Sequence, residues 1–529
     1  MDPEKPSTID KMGSAEKSTD DAENLAIMGH VQSLSRKFSP WSMFALSFSV
    51  LGTWKTFAVD LANGLTNGGP ITILWGLCLV AFCNLCVALS LGELCSSMPT
   101  ALGQAYYVSR LWKSSLGRFV SYSCAWINVF GWWTLAASQN VFMTELILGM
   151  KIVFDNDWTG ISTGWLKFVI YVGITLLMTI CNVIACRKDW ILRWFNNAVG
   201  VWFAGEFVLF SLAILIAVGT KDDLSFQQPS FVFGQWINNT GWSDGTVWFL
   251  GLVQSAYGLT AFDSVIHLIE EIPHPQKYGP RILWLSIVSG TISGIIFMII
   301  CLFCIQNLKG VLDPPSGLPF VELFTETVGP QGTVALFAIF VFHGIWQGVS
   351  IITTASRLTW GFARDGGLPY SNYLTHVDSY WKVPARALWA QGVIIALVGV
   401  LYFFTEAAIQ AVVSVSTIAL TISYGIPIFA LVIFGKVDLP RGEFSLGRLG
   451  PAIYWVGLIY CCVTTVFFFF PGEPSPTTAG MNYAVAVFGI MLVVAIGFWF
   501  SKGKRTYLRT ERALGEILRA TQLETQAGQ

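Results

Sequence analysis

Residues 281–306 read RILWLSIVSGTISGIIFMIICLFCIQ, and Arg281 is the only charged residue in this run. The hydrocarbon core of a bilayer is about 30 Å thick, and a helix needs about 20 consecutive apolar residues to cross it. Only structures that satisfy their backbone hydrogen bonds internally, such as an α-helix, are stable in that environment. The run therefore predicts a transmembrane helix.

Comparable apolar runs recur along the chain. Hydrophobic residues make up 54% and charged residues 12% of its 529 residues, whereas soluble proteins contain about 25% charged residues. We therefore expect an all-α integral membrane protein with twelve transmembrane helices. The predicted spans are 41–64, 69–93, 117–149, 164–186, 192–218, 246–269, 281–306, 332–356, 384–404, 407–434, 452–470 and 482–501.

The loops on the two sides of the predicted bundle differ in charge. Basic residues concentrate in the loops on the side of the N-terminus, and such loops lie in the cytoplasm. Because the number of spans is even, both termini are predicted to be cytoplasmic. Residues 1–38 mix charged and small polar residues without apolar periodicity, which indicates a disordered tail. Residues 39–501 then form the membrane domain, and 502–529 form a C-terminal tail.

The composition also argues against several classes of protein. A net charge of -1 provides no basic surface for nucleic acid. The five histidines form no pair with metal-ligand spacing, and the closely spaced cysteines lack His or acidic neighbours. No nucleophile and base stand together, and no Gly-rich phosphate loop occurs. We therefore expect no metal, no cofactor and no enzymatic activity.

Two of the spans contain small polar residues near mid-membrane. The first reads SFSVLGTW at 47–54, and the sixth reads QSAYGLT at 254–260. Such residues often serve close helix packing, but they also allow a helix to unwind and to present backbone groups to ions and solutes. If spans 1–5 and 6–10 are inverted repeats, the two runs occupy matched positions, which favours helix breaks.

A set of short motifs accompanies these runs. They are GGP at 68–70, SLGEL at 90–94, MPT at 98–100, GQAYY at 103–107, AFD at 261–263 followed by His267 and Glu270-Glu271, SR at 356–357, FARDGGLP at 362–369 and SYGIP at 423–427. With these motifs the sequence resembles the amino acid–polyamine–organocation permeases over about 38–470. Within them it resembles the fungal branch that includes choline and 4-aminobutyrate permeases.

The resemblance implies a fold and an activity. The fold is LeuT-like, with a five-plus-five inverted repeat and two extra helices, so that 39–501 is a twelve-helix transporter domain. The activity is secondary transport of a small solute, held between spans 1, 3, 6 and 8 and driven by protons across the plasma membrane. A choline-like amine is the expected solute, and 4-aminobutyrate, another amino acid or a polyamine is the alternative. A nutrient sensor or channel that does not concentrate its solute is the alternative class.

Charged residues inside the spans are costly and therefore candidates for function. Lys55 and Asp60 follow the first predicted break, and Glu206 lies in the middle of the fifth span, which in this fold runs beside the first. We expect Glu206 to carry the coupling proton, with Lys55 as its partner. A purely structural ion pair between these two residues is the alternative. Lys55 also departs from the family pattern, and it opposes a cationic solute unless a carboxylate neutralises it.

Aromatic side chains on the four binding spans favour a quaternary ammonium, which is bound through ring faces. Tryptophans also pack between helices or lie at membrane interfaces, which is the alternative for each ring. The candidates for substrate binding are the rings Trp54, Trp132, Trp133, Tyr257 and Trp346, with backbone groups at Gly52, Thr53 and Gly258.

A second charged group lies at the inner end of the sixth span. Asp263, His267 and Glu271 recur every four residues and share one helix face, with Glu270 beside them. We expect a charged inner gate formed by Asp263, His267 and Glu270 with a basic partner. The candidate partners are Arg187, Arg357 and Arg364. Glu271 is interpreted as a solvated helix-end charge. His343 in the eighth span is interpreted as a packing histidine, with a proton relay as the alternative.

Overall fold

The computed structural model describes residues 25–26, 28–30, 33–186, 188–378, 380, 383–404, 406–436, 439–478 and 480–509. Within these ranges the protein is built from helices. They are α1 Pro40–Leu51, α2 Thr53–Val59, α3 Leu61–Thr66, α4 Gly69–Ser97, α5 Gln104–Leu111, α6 Ser115–Ile152, α7 Gly164–Ala185, α8 Asp189–Thr220, α9 Pro229–Gly234, α10 Asp244–Gly258, α11 Ser264–His267, α12 Pro275–Cys304, α13 Leu308–Leu312, α14 Pro319–Thr327, α15 Pro330–Arg364, α16 Ser371–Leu374, α17 Ala385–Val398, α18 Glu406–Phe434, α19 Gly450–Phe467 and α20 Ala484–Phe498.

Nine helices of the described ranges are long and apolar enough to cross a membrane. They correspond to nine of the twelve predicted spans and are α4, α7, α8, α12, α15, α17, α18, α19 and α20. The first and sixth predicted spans are interrupted, and the third lies in the 38-residue helix α6, which is not among the nine. The protein is thus a multi-pass membrane protein of helical class.

The apolar helices differ in how much of their surface is covered. Of the most apolar window of α15 and of α18, 67% is buried inside the bundle, whereas the corresponding share of α20 is 22%. The uncovered apolar side chains of α20 are suited to contact with lipid tails. Inside the bundle, α6 packs against α15 and α18, α4 packs against α12, and α1 packs against α8.

The first predicted span is divided at a glycine. Ser39 caps α1 through a reciprocal pair of hydrogen bonds with Ser42, and Pro40 occupies the first turn. The helix ends at Leu51, because Gly52 adopts a left-handed conformation with φ of 56°. A side chain at Gly52 would also meet Gln347, since an added Cβ lies 2.5 Å from Nε2.

The sixth predicted span is divided as well. α10 ends at Gly258, and helical structure resumes only at Ser264. Between them Ala261 has a positive φ of 76°, a conformation that is uncommon for residues other than glycine. The first interruption thus lies inside its predicted run, and the second begins near the end of its run.

The end of the predicted disordered tail differs from that prediction. Residues 1–24 lie outside the described ranges, as do 510–529 of the C-terminal tail, but Leu25, Met28 and Phe38 are buried. The Phe38 N–H donates to Glu271 O at 3.1 Å, and Lys37 Nζ donates to Cys186 O at 2.8 Å. These few apolar and basic residues cover helix ends, which a compositional criterion for disorder does not detect.

Candidate functional site

The two helix breaks lie at close approaches between helices. Gln347 on α15 reaches across to α1, where its Nε2 donates to Ser49 O at 2.6 Å. Thr53 packs against Gly290 of α12, where an added Cβ would lie 2.4 Å from its Oγ1. Gly258 faces the Phe57 ring, which an added Cβ would meet at 2.2 Å. Small residues therefore allow α1, α2, α10, α12 and α15 to meet at the breaks.

A buried charged group adjoins the first break. Lys55 Nζ lies 2.5 Å from Glu206 Oε2 and 2.8 Å from His343 Nδ1. His343 Nε2 is 3.2 Å from Val199 O, a contact that requires a proton on Nε2 and leaves Nδ1 to accept a hydrogen bond from Lys55. Lys55 Nζ also lies 4.1 Å from the centroid of the Phe340 ring. The predicted proximity of Lys55 and Glu206 is therefore present in the structure.

This group has an unsatisfied oxygen. Glu206 Oε1 is buried, and it accepts no hydrogen bond from any residue that the structure describes. An isolated buried charge is costly, and a carboxylate can lower that cost by pairing or by taking up a proton. Glu206 can therefore exist either as the ionic partner of Lys55 or as a neutral acid. His343, interpreted from sequence as a packing residue, belongs to this group, because it contacts both Lys55 and Glu206.

Asp263 lies at the second break inside a network of donors. Tyr424 OH donates to Oδ1 at 2.7 Å, while Gln104 Nε2 and Trp132 Nε1 donate to Oδ2 at 2.8 and 3.3 Å. His267 Nε2 lies 3.0 Å from the same Oδ2. No arginine among the described residues forms an ion pair with Asp263. The network thus joins the second break to α5, α6 and α18.

Two of the three candidate arginines form buried ion pairs beyond the second break, Arg364 with the predicted Glu270 and Arg357 with Glu271. Arg357 Nε donates to Glu271 Oε1 at 2.7 Å, and both side chains are 1% exposed. Glu271 is therefore not a solvated helix-end charge, because the end of α15 covers it. Arg364 binds both oxygens of Glu270 at 2.9 Å. Arg187, the third candidate partner, lies outside the described residues.

Glu270 also receives a backbone hydrogen bond. Ala101 N donates to its Oε1 at 2.9 Å. Burial by itself would raise the pKa of Glu270, but Arg364, His30 and the Ala101 N–H together lower that pKa. The carboxylate is thus held ionised between α15 and the loop that precedes α5.

The five predicted substrate rings have separate environments. Trp132 donates to Asp263, and Trp133 Nε1 donates to Thr359 Oγ1 at 3.1 Å. Trp346 packs against two rings on the side of α15 that faces α8. Tyr257 alone lines the cavity described below. Trp54 is enclosed by the rings of Phe203, Phe207, Phe210, Phe297 and Phe340.

A cavity of about 290 Å³ lies between α3, α6, α10, α18 and α19. Tyr257 and Phe142 contribute rings to its wall, and Asp60 contributes a carboxylate. The polar part of the wall includes Asn63 and Ser414. From sequence, Asp60 was noted as one of the rare charged residues that follow the first break. Its position beside a cavity became evident only with the packing of α3 against α10.

Comparisons with known proteins agree with this architecture. The sequence profile of the family described as amino acid permease matches residues 38–496. The chain is 28% identical to a putative amino acid/polyamine transporter of Macrophomina phaseolina, over 84% of this chain and 97% of the relative. It is 27% identical to a choline transporter of Saccharomyces cerevisiae, over 91% and 84% of the two chains. It is 28% identical to a GABA-specific permease of the same yeast, over 93% and 86%.

Proposed function

From the premise that the chain belongs to the amino acid permease family, we propose that it is a secondary active transporter that couples a small amine, such as choline, to protons. Membership in this family makes it a membrane transporter. The coupling to protons and the choline-like solute are proposals that go beyond the family membership. The proposed layout has twelve spans in a LeuT-like arrangement, with both termini in the cytoplasm of a plasma-membrane protein.

The buried group of Lys55, Glu206 and His343 carries this proposal. It joins α2, which follows the first helix break, to α8 and α15. A proton on Glu206 would remove the attraction for Lys55, and the position of α2 relative to α8 would then depend on protonation. Because the solute is proposed to bind at the same break, proton and solute are coupled through the position of α2.

The solute is proposed to bind beside the two breaks. The names of two relatives refer to choline and to GABA, which supports an amine and leaves two candidates. Backbone groups at Gly52 and Gly258 remain preferred contacts, because the helix breaks free them from helical hydrogen bonds. The ring of Tyr257 also remains a preferred contact, because it lines the cavity. Trp54 is a poor candidate, since five phenylalanine rings enclose it.

Uptake into proteoliposomes with an inward proton gradient tests the proposal. We expect radiolabelled choline to accumulate above its external concentration and an uncoupler to abolish the accumulation. Competition with 4-aminobutyrate, carnitine and polyamines then ranks the solutes. Accumulation of 4-aminobutyrate instead of choline would replace the solute but keep the mechanism. Equilibration without accumulation of any of them would indicate a channel or a sensor.

Asp263→Asn is expected to lower the initial rate of uptake by about tenfold and to reduce thermal stability. An amide has one acceptor oxygen, so it cannot serve Tyr424 on one side and both Gln104 and Trp132 on the other. A buried donor left without a partner costs about 1–3 kcal/mol. Uptake rate and the thermal unfolding midpoint of the purified protein measure the two effects.

The control for this variant is Asp223→Asn, since Asp223 is exposed. It should change neither measurement. We propose that Asp263 and His267 position the second break. Two ion pairs, Glu270 with Arg364 and Glu271 with Arg357, are proposed to close the inner gate. Unchanged uptake and stability in Asp263→Asn would contradict the positioning role.

A further inference from the structure

We infer that the cavity beside Asp60, whose wall includes Tyr257 next to the second break, is an entry site that selects organic cations by charge before they reach the helix breaks. The inference rests on the proposed transport of an amine, and it adds a charge requirement at the entrance to the proposed solute site. The cavity lies near the ends of α3 and α19 and the start of α18, which the distribution of basic residues predicts to be the outer side.

The charge of the cavity comes from one residue. Asp60 is the only charged side chain among the described residues that line it. Asn63 Nδ2 donates to Asp60 Oδ2 at 3.2 Å, and no basic side chain of the described ranges lies within ion-pair distance. The wall therefore presents one carboxylate without a cation to neutralise it.

Four buried glutamates of the bundle form ion pairs with a basic residue. The pairs are Glu93 with Lys436, Glu206 with Lys55, Glu270 with Arg364 and Glu271 with Arg357. Pairing is expected because a buried charge without a partner is destabilising. Asp60 differs in that its unpaired carboxylate borders a cavity. A mobile cation from outside the chain is the partner that fits this arrangement.

The rest of the wall narrows the class of cation. The rings of Phe142 and Tyr257 lie with centroids 6.1 Å apart, and Phe467 and Phe468 add further aromatic surface. Ring faces attract ammonium groups that have no N–H to donate. The amide of Asn482 and the hydroxyl of Ser414 can bind a solute hydroxyl.

Among the described residues, the wall of the cavity has no basic side chain that could bind the carboxylate of a zwitterion. Within the described residues no Lys or Arg lines the cavity, so a solute carboxylate would find no positive partner and would be repelled by Asp60. At about 290 Å³ the cavity lies at the lower end of the range for small-molecule pockets. The geometry thus favours a compact organic cation without a carboxylate, and it disfavours betaine relative to choline.

Binding of choline and of 3,3-dimethylbutanol to the purified full chain tests the inference. The two molecules have the same shape, and only choline carries a charge. The unmodified chain is expected to bind choline at least about tenfold more tightly. In Asp60→Asn this preference should fall several-fold, to the part that the aromatic rings contribute, whereas Asp60→Glu should retain it. The control Asp313→Asn, which removes an exposed carboxylate elsewhere, should leave the ratio unchanged.

The outcomes separate the entry site from the transport mechanism. An unchanged ratio in Asp60→Asn overturns the entry site, even if choline still accumulates in proteoliposomes. Conversely, a chain that accumulates no choline but binds tetramethylammonium only when Asp60 is intact supports the entry site and overturns choline as the transported solute. Equal binding of choline and 3,3-dimethylbutanol by the unmodified chain also overturns the entry site. Thermal unfolding midpoints establish that each variant is folded.

Discussion

Glu206→Gln is expected to abolish the accumulation of solute against its gradient. With one proton per solute and no membrane potential, a gradient of one pH unit supports about tenfold accumulation, because one pH unit equals about 1.4 kcal/mol. In the variant the ratio of internal to external solute should fall to about one. The amide keeps the shape of the side chain, but it cannot alternate between a charged partner of Lys55 and a neutral acid. Uptake at several external pH values measures the loss of both accumulation and pH dependence.

Exchange of labelled for unlabelled solute distinguishes loss of coupling from loss of folding. Exchange requires binding and movement of the solute without net proton transfer, so it should persist in Glu206→Gln. The control is Glu145→Gln, because Glu145 also lies near a lysine, with 3.2 Å between its Oε1 and Lys167 Nζ. That variant should keep its accumulation. Persistence of accumulation and of pH dependence in Glu206→Gln would instead assign a structural role to the Lys55–Glu206 pair.

Arg357→Ala is expected to open the inner gate. Removing one partner of a buried ion pair costs about 3–5 kcal/mol, and 3 kcal/mol corresponds to about a hundredfold change in an equilibrium. The carboxylate of Glu271 would be left buried without a cation, and hydration of the helix ends relieves that cost. Cys186 reports on the opening, since its Sγ is buried and lies 3.5 Å from Arg357 Nη2.

The rate at which Cys186 reacts with a maleimide, followed by mass spectrometry, should therefore rise sharply in Arg357→Ala. Arg448→Ala is the matched control, because Arg448 is exposed. Its effect on labelling should be negligible. Unchanged labelling of Cys186 together with normal uptake in Arg357→Ala would contradict the gate.

Most of the features that the sequence predicted correctly depend on a single segment of the chain. Apolar length marks a span, and a local run of Gly, Ser and Thr marks a break, so Gly52 and Gly258 were located correctly. The pairing of Lys55 with Glu206 was also expected, because two rare charges stood on spans that the resemblance places together. The two breaks rest on what is unusual within a short window, whereas the pairing of Lys55 with Glu206 also needed the resemblance.

The features that were missed depend on how helices are rotated against one another. Lipid and protein interior are both apolar, so composition does not show which face of a membrane helix meets a neighbour. For this reason Trp54 was predicted to face the solute and instead lies among phenylalanines. His343 was assigned to packing and Glu271 to solvent, because their partners lie 288 and 86 residues away in sequence and are not visible in the local pattern.

The length of α15 gives the two charged groups a mechanical connection. Its 35 residues extend about 52 Å, well beyond the hydrocarbon core of about 30 Å. His343 and Arg357 lie on this one rigid rod, about 21 Å apart along its axis. A tilt of about 5° about the midpoint displaces each end by about 2 Å and Arg357 by about 1 Å, which is enough to break its 2.7 Å hydrogen bond to Glu271. In the proposed mechanism, movement of α15 at the buried group of Lys55, Glu206 and His343 would therefore break the contact between Arg357 and Glu271.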